Sequence, residues 1–117
     1  MLFRSVLLSW TVSLSGYDMP EQLPDIDFRP ESFFVERACL GNSKCRVAAW
    51  YDNQGTIYLD ERLKKNDDPF TDSLIVHELV HYLQDLSMKF EEASCQNHML
   101  REREAYGIQR QIGRAHV

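Results

Sequence analysis

His77-Glu78-Leu79-Val80-His81 is the stretch around which the chain is organised. It is an instance of H-E-x-x-H. On an α-helix, side chains four residues apart share a face and stand one turn apart in height. His77 and His81 then aim two imidazoles at one point, which suits the tetrahedral shell of Zn²⁺ at about 2.0–2.1 Å per nitrogen. Glu78 is rotated by about 100° from His77. Its carboxylate falls beside a metal and not on it, where a base for a metal-activated water belongs. Leu74, Ile75 and Val76 precede the motif, and Tyr82 and Leu83 follow it. None of these, nor Leu79 or Val80, is charged, as expected of a helix buried beneath a cleft. The bland alternative is a core helix that happens to carry two histidines.

The helix opens well at Asp68-Pro69, with Asp as N-cap and Pro at the first helical position. Phe70, Leu74, Leu79, Leu83 and Leu86 give it further apolar contacts, and it should end near Ser87. A second helix is expected from Glu91 to about Gln111.

A catalytic zinc site needs three protein ligands and one open position, so a third ligand should lie in that second helix. Glu102, Glu104 and His98 are the candidates there. The extension H-E-x-x-H-x-x-G-x-x-H is absent, because Gln84 stands at the glycine place and Ser87 at the last histidine. The stretch His77–His81 resembles the active-site helix of zinc metallopeptidases of the zincin class. Arg101-Glu102-Arg103-Glu104-Ala105-Tyr106 resembles the second-helix motif of the gluzincins, in which a Glu is followed three residues on by a small Ala. The resemblance covers roughly residues 46–110, and it makes Glu102 the third metal ligand. Ala105 lies one turn from Glu102 and is small enough to let two helices approach closely. Glu104 points about 160° away from Glu102. The thermolysin-type N-E-x-x-S-D run is not present, so a minimal gluzincin or another zincin-like family fits better than a large secreted enzyme.

This resemblance implies an α+β fold: a small β-hairpin or sheet packed on the H-E-x-x-H helix and on a following Glu-bearing helix, with an N-terminal helix. It also implies a Zn²⁺ cofactor held by His77, His81 and Glu102. The implied activity is peptide-bond hydrolysis with Glu78 as catalytic base, and a donor such as Tyr106 or His98 assisting at the carbonyl oxygen. The alternative from another class is a zincin-like module that binds metal or a protein partner without catalysis. Orienting partners for the two imidazoles are not identifiable by sequence, beyond Asp72 or a backbone carbonyl.

The 117 residues suffice for one domain with a single core. A net charge of −5 without a long basic run argues against a nucleic-acid partner, and a peptide or protein substrate is what the resemblance implies. No apolar stretch approaches the roughly eighteen residues of a membrane span. Cys39 and Cys45 flank a turn-rich segment, and the choice lies between a local disulfide, which would favour an exported protein, and two reduced thiols. Cys95 is left over. The C-x₂-C spacing of structural zinc sites is absent.

At the N-terminus, Phe3, Val6, Leu7, Trp10 and Leu14 recur at helical steps and predict an amphipathic helix ended by Gly16. A secretory leader is the alternative for the same residues. Tyr17–Pro30 holds Pro20, Pro24 and Pro30 and should be extended and irregular. Ser32–Leu40 fits either a short strand or a helical turn. Arg46–Tyr51 and Thr56–Asp60 predict a β-hairpin around Asp52-Asn53-Gln54-Gly55, and Glu61–Asp68 should be loop. By the family resemblance, a strand along the cleft would hold peptide substrate by strand addition. Residues 112–117 match the translation of a common sequencing adapter. The fold reading therefore takes 1–111 as the domain and sets 112–117 aside as a non-native tail.

Overall fold

A computed structural model describes residues 4–42, 44–45, 47–65 and 69–115. The fold is α+β. In chain order the elements are α1 (Arg4–Ser15), β1 (Asp25–Arg29), α2 (Glu31–Arg37), β2 (Ala49–Tyr51), β3 (Thr56–Asp60), a 3₁₀ turn (Glu61–Lys65), α3 (Pro69–Ser87) and α4 (Cys95–Ala115). The sheet has three strands in the order β1-β3-β2. The core joins Leu7 and Leu8 of α1, Ile57 and Leu59 of β3, Ile75, Val76, Leu79, Val80 and Leu83 of α3, and Ala105, Ile108 and Ile112 of α4.

The hairpin forms where turn chemistry predicts it. Asp52 accepts backbone N–H groups from Gln54 and Thr56 on its Oδ1, at 2.7 and 3.2 Å. Asn53 and Gly55 take the left-handed conformation that the reversal needs. β3 has the expected bounds. β2 is shorter than expected and begins at Ala49, while Arg46 lies outside the described residues.

Three expectations are corrected. Tyr17–Pro30 is extended but not irregular throughout, since Asp25–Arg29 pairs in parallel with β3, Ile26 opposite Ile57 and Phe28 opposite Leu59. Pro24 and Pro30 flank this strand, where a missing N–H costs no ladder bond. The segment Glu61–Asp68 is not simply loop: a 3₁₀ turn covers Glu61–Lys65. Its start is fixed by Asp60, whose carboxylate accepts the Arg62 backbone N–H at 2.9 Å and two guanidinium N–H groups at 2.9 and 2.6 Å. The last helix begins at Cys95, not Glu91, because Ser94 caps it, its Oγ accepting the Asn97 N–H at 3.0 Å.

The stretch Ser32–Leu40, open between strand and helix, contains α2, which buries Phe34. The N-terminal helix is present and packed; Leu7 is buried as expected, with Leu8 and Thr11 beside it, and Phe3 lies outside the described residues. Val6, Trp10 and Leu14 are partly exposed. Thr11 enters the core because its hydroxyl donates to the Leu7 carbonyl at 2.7 Å. Gly16 ends the helix at φ 80°, donating its N–H to Val12. α3 ends at Ser87, as expected, and Met88 follows at φ 60°. Its expected N-cap, Asp68, lies outside the described residues. Ile112, set aside with the tail, is buried in the core.

Cys39 and Cys45 are joined in a disulfide, and Cys95 is free and exposed. Among the described residues, no helix is long and apolar enough to cross a membrane.

Candidate metal centre

α3 packs against α1, the sheet and α4. Ala105, fully buried, is the small residue at the α3–α4 seam. The close approach lets Glu102 of α4 reach both histidines of α3. Its Oε1 lies 2.9 Å from His81 Nε2, and its Oε2 lies 3.3 Å from His77 Nε2. One ligand atom from each of the three residues falls within 4.8 Å of the others. Ligands about 2.0–2.1 Å from a tetrahedral ion stand about 3.4 Å from one another. His77, His81 and Glu102 therefore form a group that could hold a metal ion.

Both imidazoles are oriented from behind. His77 Nδ1 lies 2.9 Å from Gln109 Oε1, and His81 Nδ1 lies 2.8 Å from Gln84 Oε1. An amide oxygen only accepts, so each Nδ1 carries a proton, which leaves the Nε2 of each ring to face Glu102 and, once deprotonated, to bind a metal. That is the tautomer a metal requires. The orienting groups are thus glutamine amides, and neither Asp72 nor a backbone carbonyl occupies these positions.

Neither glutamine was picked out for this role by sequence, though a signal existed for each. Gln84 follows His81 by three residues on α3. Gln109 follows Glu102 by seven on α4, which returns to nearly the same face. Gln84 also donates from Nε2 to the Arg101 carbonyl at 3.1 Å and to Glu104 Oε1 at 2.9 Å. Glu104 accepts further bonds from the Tyr17 hydroxyl and from Lys89 Nζ. As the helical angle predicts, Glu104 stays off the centre. It holds the amide that holds His81.

The electrostatics match this geometry. Hydrogen bonds from His77 and His81 keep the Glu102 carboxyl well below the usual carboxylate range. Burial pulls His81 down, but its hydrogen bond with Glu102 and the nearby Glu78 charge more than offset that and hold it above its ordinary value. Glu78 behaves differently. Burial, only partly opposed by the two histidines, pushes its carboxyl up. Its Oε2 is buried without a hydrogen-bond partner. A buried acceptor left unpaired is costly, and such atoms concentrate at working sites.

Two hollows open on either side of this centre, and both are bordered by Trp50, Glu78 and Glu102. One, of about 280 Å³, also takes in Tyr51, Asn53, His81, His98 and Arg101. The other, of about 380 Å³, takes in Val47, Ala48, Ala49, Leu74, His77, Tyr106 and Gln109. His98 and Tyr106 therefore stand at opposite ends of the cleft. The Tyr106 ring meets the His77 ring edge-on, with centroids 4.5 Å apart.

Compared with protein-family models, with curated proteins and with solved structures, the chain matches none, so its functional reading rests on the site itself.

Proposed function

We propose that the chain is a zincin-like zinc metallopeptidase. The observation that carries this reading is the convergence of His77 Nε2, His81 Nε2 and Glu102 beside the buried, unpartnered Oε2 of Glu78. Two neutral nitrogens and one carboxylate are the donor set of a catalytic zinc site of this geometry, with a fourth position left for the reaction. Bound there, Zn²⁺ supplies Lewis-acid chemistry, acidifying water and polarising a carbonyl oxygen.

The rest falls to the protein. Glu78 accepts a proton from the attacking water and returns it to the leaving amine. Gln84 and Gln109 keep both rings in the binding tautomer. The edge strand β2 pairs only with β3 among the described residues, and Trp50 of that strand borders both hollows. An extended peptide added along this edge would lie across the centre. His98 and Tyr106 are placed to contact such a peptide at either end of the cleft.

The test is cleavage of a broad peptide library by zinc-loaded protein and by its Glu78→Gln variant. The reading expects cleavage by the first, and retained zinc without cleavage in the second. Turnover by Glu78→Gln would contradict it. Zinc binding without any cleavage by the unaltered protein would favour a non-catalytic metal-binding module.

A further inference from the structure

The two ends of the cleft differ in chemistry. Val47, Leu74 and Tyr106 line one, and Arg101 and His98 line the other. Arg101 immediately precedes Glu102 on α4 and is half-buried. Its Nε donates to Gln84 Oε1 at 3.3 Å, which leaves the two terminal amino groups of the guanidinium. Among the described residues, no carboxylate pairs with it. Asp85 and Glu91 share a neighbouring hollow with Arg101 but form no ion pair with it. Arg4, Arg29, Arg62 and Lys89, by contrast, each meet an acidic side chain. A half-buried cation without a counter-charge is unfavourable until an anion reaches it.

We propose that Arg101 selects the substrate: peptides that set a carboxylate against its guanidinium and an apolar side chain against Val47, Leu74 and Tyr106, on opposite sides of the metal centre. This rests on the hydrolase reading above. A guanidinium recognises a carboxylate through two parallel N–H···O bonds, a geometry that neither lysine nor a neutral amide reproduces. The carboxylate comes either from an Asp or Glu side chain or from the C-terminus of the peptide.

The experiment uses the zinc-loaded protein and peptide sets with Glu, Gln or Lys at each position, each set made as free acid and as C-terminal amide. Carboxylate-bearing peptides should be cleaved about tenfold or more better than their amide isosteres, chiefly through KM. Arg101→Gln should erase that preference, and Arg101→Glu should transfer it to Lys-bearing peptides, a reversal that misfolding cannot produce. Preference lost on amidation places the carboxylate at the C-terminus. Preference kept in amidated Glu peptides places it on a side chain. Cleavage with no carboxylate preference, or with one that survives Arg101→Gln, overturns the proposal while leaving the hydrolase reading intact. No cleavage of any peptide by the unaltered protein removes the hydrolase reading, and this proposal with it.

Discussion

One face of α3 carries Ile75, Val76, Leu79 and Leu83, all buried in the apolar core. The other face carries His77, Glu78, His81 and Gln84, which are nearly as inaccessible. The first face is held by area removed from water, and many side chains of similar shape would serve there. The second is held by paired polar atoms, where each group must have a particular partner. His77 has Gln109, His81 has Gln84, and Gln84 has Glu104 and the Arg101 carbonyl. Glu78 Oε2 is the atom this face leaves unpaired, although it is buried. The contrast teaches that α3 is held by apolar area on one side and by specific polar pairing on the other.

Substitutions on the two faces should therefore separate activity from stability. The largest expected effect is on the polar face. Glu78→Gln should lower peptide hydrolysis by roughly 10²–10⁴-fold, the usual worth of a general base. Thermal denaturation of that variant should show no loss of stability, since a neutral amide replaces a carboxyl that burial already disfavours as an anion.

Leu79→Ala on the apolar face should do the reverse. It should cost about 2–5 kcal/mol in denaturant unfolding by opening a cavity, while zinc affinity of the folded fraction stays the same. If Leu79→Ala weakened zinc binding as much as a polar-face change, the two faces would not be independent.

Smaller effects sharpen the role of the amides. Gln84→Ala and Gln109→Ala should each weaken zinc binding by roughly 10–100-fold, as loss of a group that orients a ligand does. Competition with a chelator of known affinity measures this. Gln84→Ala should also uncouple Glu104 from His81, so Glu104→Gln should matter less in that background than alone.

The smallest effect is the pH dependence of the metal-free protein. Glu102 titrates below its ordinary value of 4.5, so its contribution to stability is present above that pH and fades as pH falls further. His81 titrates above its ordinary value of 6.5, so its contribution is full below that pH and is lost as pH rises through the shifted value. Metal-free stability should be greatest between these two values. Zinc should remove the decline on the alkaline side, because it binds the deprotonated rings. A series of melting curves with and without zinc tests both signs.

Much of the polar face was legible in the sequence, because helical spacing alone puts His77 and His81 on one side and rotates Glu78 away. The choice of Glu102 over Glu104 followed from the resemblance to the gluzincin second-helix motif, the helical angle adding only that both cannot serve one site, and the structure has Glu102 against both rings. The amide partners were not singled out, since a glutamine has many roles and only the α3–α4 contact decides between them. The parallel strand Asp25–Arg29 was missed for a similar reason. Its prolines speak locally for irregular backbone, while its pairing with Thr56–Asp60 is a contact distant in sequence. In α1, apolar spacing pointed to Leu7, which is buried, but also to Val6, Trp10 and Leu14, which are exposed. The buried stripe instead includes Thr11, whose hydroxyl is satisfied by its own helix.

The most direct test is zinc titration of the purified, metal-stripped protein and of two variants, His77→Ala and Glu78→Gln. The account predicts one zinc per chain in the unaltered protein and in Glu78→Gln, and none held tightly in His77→Ala. Equal binding by all three, or no binding by the unaltered protein, would contradict it.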